Sequence, residues 1–204
     1  MSTSRRDVLK MAGVAFAGTA LPTITILNPN KAFAGVNADT LKVGLIGCGG
    51  RGSGAANQAL KADSNVVLHA VGDILADKME ASLTGLRKVH GSKVTVDEGR
   101  KFIGFDAYQK VLDSGVDVVI LTTPPHFRPD HLMAAVKAGK HVFCEKPVAV
   151  DAQGVRKVLE AAKIAKQKKL SLMSGFCWRY HEAKRAIFGR ILDGAVGDIS
   201  TVYN

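Results

Sequence analysis

The stretch that decides the fold runs from residue 41 to residue 52 and reads Leu41-Lys42-Val43-Gly44-Leu45-Ile46-Gly47-Cys48-Gly49-Gly50-Arg51-Gly52. Its first half is a short apolar run, its second half is rich in glycine, and helix formers occupy residues 55–62. This order predicts a strand, a tight turn and a helix. The turn matches the spacing Gly-x-Gly-x-x-Gly, which binds the pyrophosphate of a dinucleotide when a strand precedes it and a helix follows it.

Each position in the turn has a predicted task. Gly47 permits the tight turn, Gly49 lets the backbone approach the pyrophosphate, and Gly52 allows the helix to pack closely on the strand. Gly50 and Arg51 complete the predicted cofactor-binding loop, and the N-terminus of the helix adds N–H groups and the positive end of its dipole. A tight turn without a ligand is the alternative interpretation of the motif.

An acidic residue stands where the next strand ends. A second apolar run covers residues 66–71 and ends at Gly72-Asp73, which places Asp73 21 residues after Gly52. A carboxylate at this spacing accepts hydrogen bonds from the adenosine ribose and repels a 2′-phosphate, so NAD is the predicted cofactor and NADP is less favoured. Arg51 is placed to contact the pyrophosphate or a 2′-phosphate, which leaves NADP open. A plain N-cap for a helix over residues 76–89 is the alternative role of Asp73.

The rest of the chain alternates between strand and helix patterns. Strands are predicted at residues 116–122, 141–143 and 170–174, and helices at residues 106–114, 128–138 and 151–169. Residues 90–105 give only hints of short strands around Val94, Val96 and Ile103. Strands separated by helices require a parallel sheet with right-handed crossovers. The predicted fold class is therefore α/β, a doubly wound parallel sheet of the Rossmann type.

Two further segments follow predicted strands. They are Thr122-Thr123-Pro124-Pro125-His126 and Cys144-Glu145-Lys146-Pro147. Ligands of open α/β sheets bind at the carboxyl ends of the strands, so both segments are expected to meet the glycine loop in one crevice. The predicted cofactor-binding set accordingly gains Thr122, Thr123, Pro124, His126, Glu145 and Lys146. For a single histidine such as His126, a structural or solvent-facing role is equally open.

These segments carry a family resemblance. The glycine loop, then Thr123-Pro124-Pro125, then Ala138-Gly139-Lys140-His141-Val142-Phe143-Cys144-Glu145-Lys146-Pro147 resemble, in this order, the Gfo/Idh/MocA oxidoreductases. Residues 174–180 are similar to the family's Gly-Phe-x-x-Arg-Tyr segment, but His181-Glu182 replaces its usual Asp or Asn and Pro. We therefore transfer no substrate contact to His181-Glu182.

The resemblance implies a catalytic residue and a second domain. It implies that Lys146 is the catalytic lysine beside the nicotinamide and the reacting oxygen, and physical chemistry agrees, because a lysine can supply positive charge or shuttle a proton there. A surface lysine that begins a loop is the alternative. The sequence predicts a helix at residues 182–193 and the opening of a strand at residues 198–203. The resemblance implies that they begin a truncated C-terminal α/β substrate domain.

The first 34 residues are predicted to form an export signal. Ser4-Arg5-Arg6-Asp7-Val8-Leu9-Lys10 resembles the twin-arginine (Tat) signal, a mildly apolar segment follows, and Ala32-Phe33-Ala34 fits a signal peptidase site. The alternative is an uncleaved anchor, although the prolines and glycines of the apolar segment speak against a stable membrane span. The predicted domains are a Tat signal peptide at residues 1–34, an NAD(P)-binding Rossmann domain at 35–178 and the truncated domain at 179–204. The predicted location is periplasmic or extracytoplasmic, with the Tat translocase as a partner.

Composition narrows the classes of function. The net charge is +10, and beyond residue 34 the basic residues are spread along predicted helices that also carry acids. No nucleic-acid-binding motif accompanies them, so no nucleic-acid partner is predicted. Cys48, Cys144 and Cys177 lack metal-ligand spacing, so they are predicted to be buried small hydrophobes and no metal site is expected.

The function predicted from the sequence is NAD binding within an exported oxidoreductase. The full-length protein is expected to transfer a hydride between a nicotinamide cofactor and a sugar or polyol, and to form a homo-oligomer, as the resemblance implies. Two alternatives stay open: a glycosidase-type relative that uses tightly bound NAD in a redox cycle, and a catalytically inactive NAD-binding fragment.

Overall fold

The computed structural model describes residues 40–203, which contain a six-stranded parallel sheet with helices on both faces. The strands are β1 Leu41–Ile46, β2 Val66–Asp73, β3 Lys101–Ile103, β4 Val118–Leu121, β5 His141–Cys144 and β6 Leu172–Ser174. The helices are α1 Gly50–Ala62, α2 Ala76–His90, α3 Ala107–Asp113, α4 Arg128–Lys137, α5 Ala152–Gln167 and α6 Glu182–Leu192. Short 3-10 turns cover Gly91–Lys93, Glu98–Arg100 and Cys177–Tyr180.

The strand order is β3-β2-β1-β4-β5-β6, and every pair is parallel. The chain builds outward from β1 to one edge of the sheet and then returns to build from β4 to the other. This reversal leaves a crevice at the carboxyl ends of β1 and β4, where ligands of such sheets bind. The predicted doubly wound fold is confirmed.

The core lies in two apolar layers, one on each face of the sheet. The first joins β1 and β2 to α1 and α2 through fully buried side chains such as Leu45, Leu68 and Leu83. The second joins β4 and β5 to the helices on the other face through residues such as Leu121 and Leu132. Strands covered on both sides must be apolar at nearly every position, which is why they read as continuous apolar runs.

The register brings the strand ends to one level. Ile46 pairs with Gly72 on one side and with Leu121 on the other, and Leu121 pairs with Cys144. The residues that follow these strands therefore emerge side by side. This places the loops that begin at Gly47, Thr122 and Glu145 along the same edge of the sheet.

Several predicted boundaries need correction. The first helix begins inside the glycine loop, at Gly50 rather than residue 55, and β3 is confined to Lys101–Ile103, while Val94 forms only an isolated bridge to Leu68. The predicted strand at residues 198–203 is wrong, because this segment pairs with no described strand and its Val202 is 80% exposed. A strand requires a neighbour for its N–H and C=O groups. Among residues 40–203, no helix combines the length and the hydropathy needed to cross a bilayer.

Candidate functional site

Two glycines of the loop are required by the protein's own packing. Gly47 has a φ of +95°, and a Cβ built there would lie 2.7 Å from the backbone N of Thr123. A Cβ on Gly52 would lie 1.9 Å from the carbonyl oxygen of Gly47. Side chains at these positions would collide with backbone, which confirms the predicted tight turn and the close approach of α1 to β1.

The other two loop glycines face open space. A Cβ on Gly49 or Gly50 would meet no protein atom within 4 Å, and the φ of Gly49, −66°, suits any residue. Neither packing nor backbone conformation explains these glycines, whereas a ligand lying against the bare backbone does. The first turn of α1 holds no acidic residue, and within the described chain no side chain caps it. Its N–H groups and positive dipole end therefore fit a pyrophosphate.

Thr122 supports the loop from the neighbouring strand. Its Oγ1 lies 2.6 Å from the carbonyl oxygen of Gly47 and 3.0 Å from that of Ile46. Its backbone N–H also donates to Ile46 at 2.9 Å. Thr122 was predicted to contact the cofactor, but its hydroxyl is directed at the loop and fixes the carbonyl groups around which the turn is made.

Asp73 is bonded to the loop as well. Its Oδ2 accepts the Cys48 N–H at 2.5 Å, and its Oδ1 accepts the Leu75 N–H at 3.0 Å. The N-cap position of α2 is Leu75, so the alternative role of Asp73 as that helix's N-cap residue is wrong. The carboxylate joins the end of β2 to the glycine loop.

The Cys48 thiol, between Gly47 and Gly49, stays protonated at neutral pH. Burial, with a smaller contribution from the Asp73 charge, raises the pKa of Cys48 to about 12. Burial likewise raises the pKa of Cys144 to about 11. Both are buried as predicted, whereas Cys177 is exposed. In residues 40–203, no three acidic, histidine or cysteine side chains form a cluster that could hold a metal ion.

Arg51 crosses the crevice to Glu145. Its Nε and Nη2 both lie 2.7 Å from Glu145 Oε1, and a longer contact of 3.4 Å joins Nη2 to Gln58. The Arg51 side chain is 49% exposed, whereas that of Glu145 is 5% exposed. The sequence suggested a phosphate contact for Arg51, but the structure places its guanidinium on a buried carboxylate 94 residues away.

Glu145 lies directly beside the backbone of the predicted catalytic lysine. Its Oε2 accepts the Lys146 N–H at 3.2 Å, and the carboxylate packs over Gly175, where a Cβ would lie 2.7 Å from Oε2. The Lys146 side chain itself is exposed, and the peptide bond to Pro147 is cis. The carboxylate thus belongs to the scaffold of the site, while the ammonium group is free to meet a ligand.

Arg128 is a residue of the site that the sequence did not indicate. It begins α4, is 5% exposed, and its Nη1 donates to the carbonyl oxygens of Glu145 (2.8 Å) and Pro147, on either side of Lys146. Burial lowers the pKa of Arg128, and among residues 40–203 no hydrogen-bond partner reaches its Nε. A lone arginine in a helix's first turn carries no sequence signal for such a role.

The segment after β4 divides between the surface and the core. Pro124 and His126 are exposed, and the His126 ring packs edge-on against Phe127 with centroids 5.3 Å apart. Thr123 Oγ1 lies 3.3 Å from Nδ1 of buried His131. Burial lowers the pKa of His131 to about 4, so its ring is neutral at pH 7. The exposed pair borders the crevice, whereas Thr123 is bonded to the packed helix beneath it.

The structure therefore brings the three predicted segments to one edge of the sheet. The glycine loop, the Thr122–Pro124 segment and Glu145-Lys146 follow adjacent strands whose last residues are paired in register. Direct contacts join them through Thr122 and Arg51. The arrangement combines an anion-binding backbone with an exposed ammonium group, which suits a phosphate-bearing cofactor and a reacting oxygen.

Comparisons with known proteins agree with this geometry. Residues 41–176 match the GFO_IDH_MocA profile, described as an oxidoreductase family with an NAD-binding Rossmann fold. The inositol 2-dehydrogenase of Salmonella paratyphi B is 33% identical to this chain over 164 residues, which make up 80% of this chain and 45% of that protein. This chain spans less than half the length of that relative.

Solved structures give the same result. The apo scyllo-inositol dehydrogenase from Lactobacillus casei matches with a TM-score of 0.60 at 26% identity, over 79% of this chain and 44% of that one. A 3-ketoreductase from Actinomadura kijaniata, in complex with TDP-benzene and NADP, matches with a TM-score of 0.60 at 25% identity, over 79% of this chain and 46% of that one.

Proposed function

Because this chain belongs to the Gfo/Idh/MocA family of NAD-binding oxidoreductases, we propose that the protein containing it is a polyol dehydrogenase. It would transfer a hydride between NAD and a hydroxyl-bearing carbon of an inositol or a related sugar. The proposal rests on one observation. Gly49 and Gly50, whose backbone faces open space, lie along the same edge of the sheet as Lys146. The resemblance to inositol dehydrogenases supports the substrate class.

The residues of the crevice divide the work between binding and proton transfer. Gly49 and Gly50 let backbone N–H groups approach the pyrophosphate, and the first turn of α1 adds its dipole. NAD, when bound, supplies the hydride acceptor. Lys146 holds or moves the proton at the substrate oxygen, where its ammonium group stabilises developing negative charge. Arg128 and Glu145 hold the backbone on either side of that lysine.

Two contacts favour NAD over NADP. Asp73 places a carboxylate at the end of β2, which repels a 2′-phosphate. Arg51, the nearby cation that would attract one, is paired with Glu145. The NADP bound to the Actinomadura kijaniata relative keeps NADP among the cofactors to be assayed.

The test is a steady-state screen of the complete protein with inositols, aldoses and sugar acids, in which the appearance of NADH is recorded. We expect at least one inositol or aldose to be oxidised. Replacing Lys146 with Met should lower kcat by about 10²–10⁴-fold, because its proposed task is proton transfer. The Kd for NADH should stay within about threefold, because the other predicted cofactor contacts are unchanged. The matched control is Lys137→Met, at the exposed end of α4. No NADH signal from any substrate would refute the proposed activity.

The predicted alternatives give different results in the same experiments. A glycosidase-type enzyme would retain about one NAD per chain through purification, which mass spectrometry would detect, but none of the three relatives named above is a glycosidase. For the 204-residue chain by itself, we propose NADH binding without turnover. Turnover by that chain alone would contradict this.

We also propose that the protein is exported through the Tat pathway, on the evidence of Arg5-Arg6 and Ala32-Phe33-Ala34, which lie outside the described residues. The paired substitution Arg5→Lys and Arg6→Lys keeps the charge but removes the guanidinium groups that define the signal. We expect the precursor to accumulate in the cytoplasm, as measured by fractionation and immunoblotting. Unchanged export of the double variant would refute Tat export.

A further inference from the structure

The Glu145 carboxylate is the point at which three segments of the crevice meet. One oxygen accepts a hydrogen bond from Nε of Arg51, in the first turn of α1, and lies 2.7 Å from its Nη2. The other oxygen accepts the Lys146 N–H. Gly175, after β6, leaves no room for a side chain beneath the carboxylate. A single buried group thus connects the glycine loop after β1 with the lysine after β5, across the intervening strand β4.

Both ends of this connection are fixed. Arg51 precedes Gly52, which lies so close to Gly47 that a Cβ would come within 1.9 Å of that residue's carbonyl oxygen. Glu145 is 4% exposed, and its own carbonyl oxygen is held by Arg128. A buried carboxylate requires a charged partner, and among residues 40–203 Arg51 is the only cation within ion-pair distance of Glu145. Separating the pair would leave the buried Glu145 carboxylate without a charged partner, and this cost keeps Arg51 beside it.

We propose that Arg51 is a positioning residue for Lys146. Through its ion pair with Glu145, the loop that binds the dinucleotide also fixes the carboxylate that orients the Lys146 N–H, so the placement of the lysine depends on the loop. This inference rests on the proposed dehydrogenase function. It adds Arg51 to the site as a residue that acts on Lys146 through Glu145. A misplacement of about 1 Å in a reacting group can reduce turnover by about a hundredfold.

This role differs in its kinetic signature from a direct phosphate contact. If Arg51 bound the pyrophosphate, its replacement would raise the Kd for NADH and leave kcat at saturating cofactor unchanged. If it positions Lys146, its replacement lowers kcat and leaves the Kd for NADH nearly unchanged. Arg51 and Glu145 would then act as one unit, so the effects of replacing them would not add.

The experiment compares Arg51→Gln, Glu145→Gln and the double variant in the complete protein, with Arg156→Gln, on the exposed side of α5, as the matched control. We expect each single variant to lower kcat about tenfold to a hundredfold, with the Kd for NADH within about threefold of the wild-type value. The double variant should lose no more than the worse single variant. The Arg51→Gln variant leaves a buried carboxylate without its partner and can fail to fold. The double variant removes both charges together, so it can still be measured in that case.

A kcat within about threefold of wild type in a folded variant, or single losses that multiply in the double variant, would overturn the inference. If the wild-type protein oxidises no substrate, the proposed function fails, and the inference is judged from the rate at which an amine reagent labels Lys146, followed by mass spectrometry. Arg51→Gln should change that rate by about threefold or more, while the rate at Lys137 stays constant. An unchanged rate at Lys146 would overturn the inference independently of turnover.

Discussion

At the scale of single residues, the loop glycines fall into two kinds that a sequence motif cannot separate. Gly52 is enclosed by the carbonyl of Gly47, whereas Gly49 faces open space. The motif shows only that both are glycine, because spacing carries no information about which atoms stand opposite each Cα. Packing explains Gly52, whereas it leaves Gly49 open for the cofactor contact that we propose.

The two glycines therefore predict opposite results on substitution. Gly52→Ala should lower the free energy of unfolding by about 3 kcal/mol or more, because the new methyl group collides with backbone. Gly49→Val should lower it by about 1 kcal/mol or less, since its φ of −66° suits a branched residue. Gly49→Val should nevertheless weaken NADH binding about tenfold or more, because the side chain fills the space for the pyrophosphate. Urea unfolding and fluorescence titration measure the two effects, and undiminished affinity in Gly49→Val would contradict the assigned site.

At the scale of secondary-structure elements, the sequence predicted the strands better than the contacts between them. Apolar runs locate β1, β2 and β4 because strands covered on both faces have no polar side. The motif after β5 located Lys146. It could not predict that Arg51 pairs with Glu145 or that Arg128 holds the adjacent carbonyl groups, because such contacts join residues distant in sequence and depend on where the helices lie. The short β3 and the unpaired segment at 198–203 were hard to assign for the same reason, since strand formation depends on a neighbour.

The packing of α3 against α4 predicts a dependence of stability on pH. His131 on α4 stacks on Tyr108 of α3 with ring centroids 4.2 Å apart, and burial lowers its pKa to about 4. The unfolded chain takes up a proton near pH 6.5, whereas the folded protein resists it until about pH 4. Stability contributed by the neutral ring is thus complete above pH 6.5 and is lost as the pH falls towards 4, by about 3 kcal/mol at most.

Replacing His131 with Phe keeps an aromatic ring on Tyr108 and removes the titration. Between pH 7 and pH 4, urea unfolding should show that the free energy of unfolding falls less steeply with pH in the variant than in the wild-type protein. The two slopes should differ by at most the contribution of about one proton. His69, whose pKa is lowered by burial and by Arg100, titrates in both proteins and cancels from the comparison. Identical slopes would show that His131 has the same pKa in the folded and unfolded states, which would contradict the lowered pKa.

At the scale of the whole molecule, burial is distributed unevenly between the sheet and α6. The helix α4 buries six of its residues, among them Leu132 and Val136, whereas α6 buries none, and its Phe188 and Leu192 are 59% and 84% exposed. An 11-residue helix is marginal in water without packing. The 204-residue chain should therefore exchange the amide hydrogens of α6 about a hundredfold or more faster than those of α4, as measured by hydrogen–deuterium exchange and mass spectrometry. Equal protection would mean that α6 is stabilised by contacts other than those described, whereas fast exchange confined to α6 would show that the sheet, with its cofactor loop and Lys146, is a stable unit that does not depend on this helix.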